Sequence, residues 1–163
     1  MAIEDHYGRD AEDVSEFDAP IAWRGGITAG FIATVSTSLV ILLSNPSMFS
    51  ETIAGMYGLE GVFAVGLVAH LIHGTLFGFV FAAILSDPGL LRITNSLSKT
   101  VMAGVIFGLT LAIVGTGFLL PVWTQFVGLT NPPEIPWITL PLFGWHGLYG
   151  VVLGLLFPFL EEW

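Results

Sequence analysis

The sequence predicts an all-α membrane protein, four transmembrane helices arranged as two helical hairpin repeats in parallel relation. Three observations carry that prediction. The chain has 163 residues, of which 54% are hydrophobic and only 10% charged, against about 25% charged residues in an ordinary soluble domain. The charges are segregated: none falls in Gly25–Ser50, Gly61–Ser86, Thr100–Pro133 or Ile135–Leu160. A ladder of small residues headed by histidine occurs twice, as His70, Gly74, Gly78, Ala82 and as His146, Gly150, Gly154, Pro158.

Crossing about 30 Å of hydrocarbon takes roughly 20 helical residues, and each uncharged stretch is long enough for one crossing. A backbone in lipid must satisfy its own hydrogen bonds, which leaves helices or a closed barrel. Barrel strands alternate apolar with polar residues over about 10 positions, and these runs do not alternate. The expected spans are Gly25–Ser44, Val62–Leu85, Thr100–Leu120 and Trp137–Leu160. Asn45-Pro46 and Asn131-Pro132-Pro133 are expected to end helices, because proline cannot continue the hydrogen-bond ladder. Residues 1–21 form an acidic tail, poor in apolar side chains and expected to be disordered. Residues 22–163 form the transmembrane domain, with repeat 1 over about 22–86 and repeat 2 over about 99–163.

The four basic residues predict orientation. Arg9 and Arg24 precede the first span, and Arg92 and Lys99 lie between the second and third. By the positive-inside rule both termini and the Ser86–Lys99 loop are expected in the cytoplasm. The Asn45–Gly61 and Pro121–Pro136 loops then face outward. Their Met48, Phe49, Met56, Tyr57, Trp123 and Phe126, with Trp137 beside them, are expected at headgroup level, where aromatic belts sit; a lid over a site in the bundle is the alternative.

The small residues predict packing. The first span carries Gly26, Gly30, Thr34 and Ser38 at four-residue spacing, and the third carries Gly104, Gly108, Ala112 and Thr116. The offset is 78 residues from Gly26 to Gly104 and 76 from His70 to His146. Lipid supplies no hydrophobic gain on helix contact, so association rests on close van der Waals approach, which small residues permit. Residues four apart lie nearly one above another. Gly26, Gly30, Gly104, Gly108 and Ala112 are therefore expected in helix seams.

His70 and His146 head equivalent seams, and ionisable groups inside a bilayer usually face the bundle interior. Three readings are open. Each imidazole can tie neighbouring helices, through Thr34, Thr37 or Ser38 in one half and Thr110 or Thr116 in the other. Alternatively, the pair can hold haem b as axial ligands, with Gly74, Gly78, Gly150 and Gly154 against the porphyrin face. The third reading is a proton or ion route or a metal site, with His73 joining His70 and His146 as ligands.

Enzymatic activity is not expected: no Gly-x-Ser-x-Gly, phosphate loop, His-Glu-x-x-His or paired carboxylate is present in or beside a span. A net charge of −9 argues against nucleic acid as a partner. The absence of cysteine removes thiol and disulfide chemistry.

With its acidic tail, its first-span run Gly-Ile-Thr-Ala-Gly-Phe-Ile-Ala-Thr (26–34) and its second-span run His-Leu-Ile-His-Gly-Thr-Leu-Phe-Gly (70–78), the chain resembles a group of small four-span membrane proteins from haloarchaea. The resemblance covers the four spans. It implies an archaeal plasma membrane and carries no activity or functional residue. Some members bear a histidine kinase label, which does not suit a chain without an ATP-binding domain. The leading expectation is a non-enzymatic accessory or scaffold subunit in the lipid bilayer, partnered by other membrane subunits, with a respiratory complex as analogy. A haem b carrier or anchor is the alternative, and a small-solute or proton conduit the third.

Overall fold

The computed structural model describes residues 22–160. The expected tail, residues 1–21, lies outside them. Among the described residues there is no strand. Four helices are long and apolar enough to cross a membrane: α1 (Trp23–Ser44), α2 (Phe63–Leu85), α3 (Leu97–Phe126) and α4 (Leu140–Leu160). The protein is a multi-pass integral membrane protein. The bundle end bearing the α1–α2 and α3–α4 connections is termed upper here, and the end bearing the α2–α3 connection lower.

The order of packing is α2, α1, α4, α3. The central pair is α1 and α4, with α2 against α1 and α3 against α4. No packed seam joins α2 to α3. The outer seams are glycine seams. A Cβ added at Gly30 would lie 2.7 Å from Gly78 Cα, and one at Gly26 would lie 2.6 Å from Gly78 O. In the other hairpin a Cβ at Gly104 would lie 3.0 Å from Gly154 Cα, and one at Gly108 would lie 3.2 Å from Gly150 Cα. Backbones this close leave no room for any side chain, which is why every fourth position is small. Ala112 is fully buried.

The lower half is solid. Ala29 and Ala33 of α1 pack with Phe81, Ala82 and Leu85 of α2 and with Tyr149, Leu153 and Phe157 of α4. Phe81 meets Phe157 edge to face at 5.5 Å between ring centroids and Phe107 of α3 at 5.4 Å. The lower connection turns at Asp87-Pro88-Gly89, where the Gly89 N–H donates to Asp87 Oδ1 at 2.8 Å.

Two expectations are corrected at the upper end. Pro121 does not end the third helix, which runs on to Phe126. Proline has no N–H, so a carbonyl one turn back loses its donor, and an orphaned carbonyl in lipid is costly. Here the Gly117 carbonyl accepts from the Trp137 N–H at 2.8 Å. The stretch before Pro121, Leu111–Leu119, is wound as a π-helix. The chain at Trp137 is thereby held as a strap against α3, and the fourth helix starts at Leu140 rather than Trp137. The second correction concerns the α1–α2 connection. Phe49 is fully buried and Met48 nearly so, in a cluster with Ile41, Ile53, Ala69 and Trp145. This stretch, with a π turn at Phe49–Ile53, enters the bundle rather than resting at headgroup level. Gly66 admits it: a Cβ there would collide with the Phe49 carbonyl.

Candidate functional site

Above the phenylalanine floor the helices diverge around a cavity of about 770 Å³. Its walls come from all four helices and from the α1–α2 connection: Thr34 and Thr37 of α1, His70 and His73 of α2, Gly115 and Thr116 of α3, His146 and Tyr149 of α4, and Met56 and Tyr57 of the connection. The rest of the lining is apolar or aromatic, including Phe77, Trp123 and Trp145. The upper edge is latched. Trp123 Nε1–H donates to the Met56 carbonyl at 2.8 Å, and Thr130 Oγ1 donates to Glu60 Oε2 at 2.9 Å. Both bonds join the α1–α2 connection to α3 and the chain after it.

Both seam histidines are hydrogen-bonded within their own hairpin. Ser38 Oγ lies 2.9 Å from His70 Nδ1, and Thr116 Oγ1 lies 3.1 Å from His146 Nε2. Ser38 and Thr116 are themselves 78 residues apart, the same offset as Gly26 and Gly104. The other hydroxyls considered as partners bond their own helices: Thr34 to the Gly30 carbonyl, Thr37 to that of Ala33 and Thr110 to that of Ile106.

The two rings use opposite nitrogens, and the partners assign their protons. His146 Nδ1 faces the Leu142 carbonyl at 2.9 Å. A carbonyl only accepts, so Nδ1 carries the proton and Nε2 accepts from Thr116. For His70 the arrangement is reversed. Among the described residues His70 Nδ1 is the sole hydrogen-bond partner of Ser38 Oγ, so the hydroxyl satisfies its proton by donating to that nitrogen. In the neutral ring the proton then sits on Nε2. No hydrogen bond within the described residues reaches His70 Nε2. No sealed side-chain nitrogen or oxygen among them lacks a partner. The free Nε2–H therefore reaches the open space of the cavity, which His70 lines. The neighbouring ring of Phe49 packs edge-on against His70 at 5.5 Å and holds its plane.

His73 is drawn to another partner. The Tyr57 hydroxyl lies 2.6 Å from His73 Nε2, with the rings stacked at 6.0 Å. Among the described residues no three histidine or acidic side chains gather as metal ligands, so His70, His73 and His146 are not brought together as a cage. Tyr149, which occupies the position equivalent to His73 in the other half, crosses the centre instead. Its hydroxyl donates to the Gly74 carbonyl at 2.6 Å and ties α4 to α2.

The glycines expected to face a porphyrin are otherwise engaged. A Cβ at Gly74 would collide with the Thr34 side chain, one at Gly78 with the Gly26 carbonyl, one at Gly150 with the Gly104 carbonyl, and one at Gly154 would lie 2.5 Å from the Thr100 carbonyl. Their faces are filled by α1 and α3. These four glycines do not fit the porphyrin-face role expected of them.

Sequence reasoning missed two contributors to this site, the π-helical stretch and the empty position at Gly115, and offered the α1–α2 connection only as an alternative lid. A Cβ at Gly115 would meet nothing within 4 Å, unlike the seam glycines. Its place in the sequence, in Gly-Thr-Gly six residues before a proline, was the available signal. No known protein family, no protein of curated function and no solved structure matches the chain.

Proposed function

We propose that this protein is a non-enzymatic accessory subunit of the membrane whose own contribution is to hold an apolar ligand in the upper cavity. The carrying observation is a cavity of about 770 Å³ above a floor closed by Phe81, Phe107 and Phe157. Ligand sites are typically about 300–1,000 Å³, mainly apolar, with a few placed polar groups, and this cavity has that character. The closed floor favours holding over conduction. Its walls rest on two hairpins with matching seams and matching histidine ties, an arrangement that supports descent from a duplicated hairpin. The basic residues support cytoplasmic termini by the positive-inside rule, and in that orientation the cavity belongs to the outward half of the membrane.

The test is organic extraction of protein purified from its native membrane, followed by mass spectrometry. The expected result is one apolar compound, near equimolar with the wild type and reduced in Gly115→Leu, where the new side chain would project into the cavity. Extracts of wild type and Gly115→Leu that differ in no compound overturn the reading. Co-purification with larger membrane subunits tests the accessory role, and a solitary protein in native membranes contradicts it.

A further inference from the structure

We infer that the cavity selects a neutral, ring-bearing, lipid-soluble molecule with a carbonyl oxygen, of the quinone or aromatic ketone type, and that His70 Nε2–H is the donor that recognises it. The inference rests on the ligand-holding reading above and adds the chemistry of the ligand.

Most hydroxyls of the cavity are committed. Thr34 and Thr37 donate to their own helix, Thr116 donates to His146, Tyr149 to Gly74, and Tyr57 is paired with His73. His146 has both ring nitrogens engaged. Among the described residues the free donors of the lining are His73 Nδ1, the indole N–H groups of Trp137 and Trp145, and the Nε2–H of His70; of these His70 stands on the inward seam, its ring plane held by Phe49, in a mainly apolar chamber. A donor left unpaired in low dielectric costs more than a hydrogen bond in water returns, so a ligand that brings an acceptor gains over one that does not. No Lys or Arg lies in any of the lining positions, and an anion would lose its hydration without a counter-charge. The acceptor is therefore an uncharged oxygen. Phe77, Trp123 and Trp145 line the same space and favour a flat ring, since aromatic faces pack against one another.

Access lies between α2 and α3. These helices form no packed seam, and the cavity is lined on that side by Phe77 of α2 and Leu119 of α3, both substantially exposed. A molecule dissolved in the bilayer can enter through that gap without crossing water.

Two compounds of nearly equal shape isolate the carbonyl: 2-methyl-1,4-naphthoquinone and 2-methylnaphthalene. Binding is measured by equilibrium dialysis against the protein in nanodiscs, with protein-free nanodiscs subtracting partition into lipid. The expected result is quinone binding about tenfold tighter than hydrocarbon binding, the ratio one well-made buried hydrogen bond supports. In His70→Phe the two compounds should bind alike, and in His70→Gln, which keeps an N–H donor, part of the preference should return. Gly115→Leu should bind both ring compounds more weakly. Dioctanoylglycerol, with carbonyls on flexible chains, should bind more weakly than the quinone. Equal binding of the two ring compounds by the wild type overturns the inference, as does an unchanged preference in His70→Phe or tighter binding of dioctanoylglycerol. Absence of binding by both ring compounds overturns the ligand-holding reading itself. Each variant is first checked for its helical circular dichroism and monodispersity. If His70→Phe does not fold, the wild type carries the test through nitrogen-15 spectra of labelled histidine: the quinone but not the hydrocarbon should shift His70 Nε2, and an unshifted His70 overturns the inference.

Discussion

The lower and upper halves of this bundle are built from the same helices and solve opposite problems. Below, glycine faces meet glycine faces and three phenylalanines close the axis. Above, the same seams continue as Ser38 with His70 and Thr116 with His146, and the chain spends side chains on walls and latches rather than on filling. Close packing is what holds membrane helices together. A cavity in one half therefore has to be offset by unusually tight contact in the other. The difference teaches that the small-residue ladders support the cavity from below rather than line it.

Substitutions can break that comparison. The largest effect is expected at Gly78→Leu, where a side chain would force α1 and α2 apart at Gly26 and Gly30. A loss of more than about 3 kcal/mol, beyond the usual range for overpacking because backbone rather than a side chain stands in the way, should appear as failure to recover folded protein from mixed SDS micelles. Gly115→Leu, the same change made in the cavity, should shift stability by less than about 0.5 kcal/mol. Phe81→Ala removes the shared member of both aromatic contacts of the floor and should cost about 3 kcal/mol in the same unfolding measurement. It should also open the axis to small solutes in a liposome flux assay. Thr116→Val leaves His146 Nε2 without its donor and should cost about 1 kcal/mol. Trp123→Phe removes only the latch to Met56 and should cost no more than about 0.5 kcal/mol, while raising amide exchange over residues 54–61. The smallest effect is spectroscopic and sharpens the contrast within the upper half. Nitrogen-15 spectra of labelled histidine should show His70 protonated on Nε2 and His146 on Nδ1, and Ser38→Ala should alter the first pattern without the second.

Much of the lower half was legible because its causes are local and repetitive. Uncharged runs of span length require helices in lipid, and small residues four apart require a seam, so α1, α2 and the glycine contacts follow from spacing. Ser38 and Thr116 were readable as histidine partners by the same periodicity, since each ends a ladder in register with the imidazole it meets. The upper half was not legible because its causes act at a distance. That Pro121 leaves α3 intact depends on a donor from Trp137, sixteen residues on. That Phe49 is a core residue depends on the missing Cβ of Gly66 in a different helix. The glycines of the histidine ladders left packing and room for a flat ligand both open, because spacing reports a flat face but not what lies against it; the structure shows packing. The open face belongs to Gly115, which stands outside every ladder.

The central claim is a cavity above and a closed floor below, and introduced cysteines test it directly because the natural chain has none. Gly115→Cys and Leu153→Cys are each treated in nanodiscs with phenylmercuric acetate, a lipid-soluble thiol reagent, and the extent of modification is read from intact mass. The account predicts complete modification at position 115 and protection at position 153. Equal modification at the two positions, or protection at 115, would contradict it.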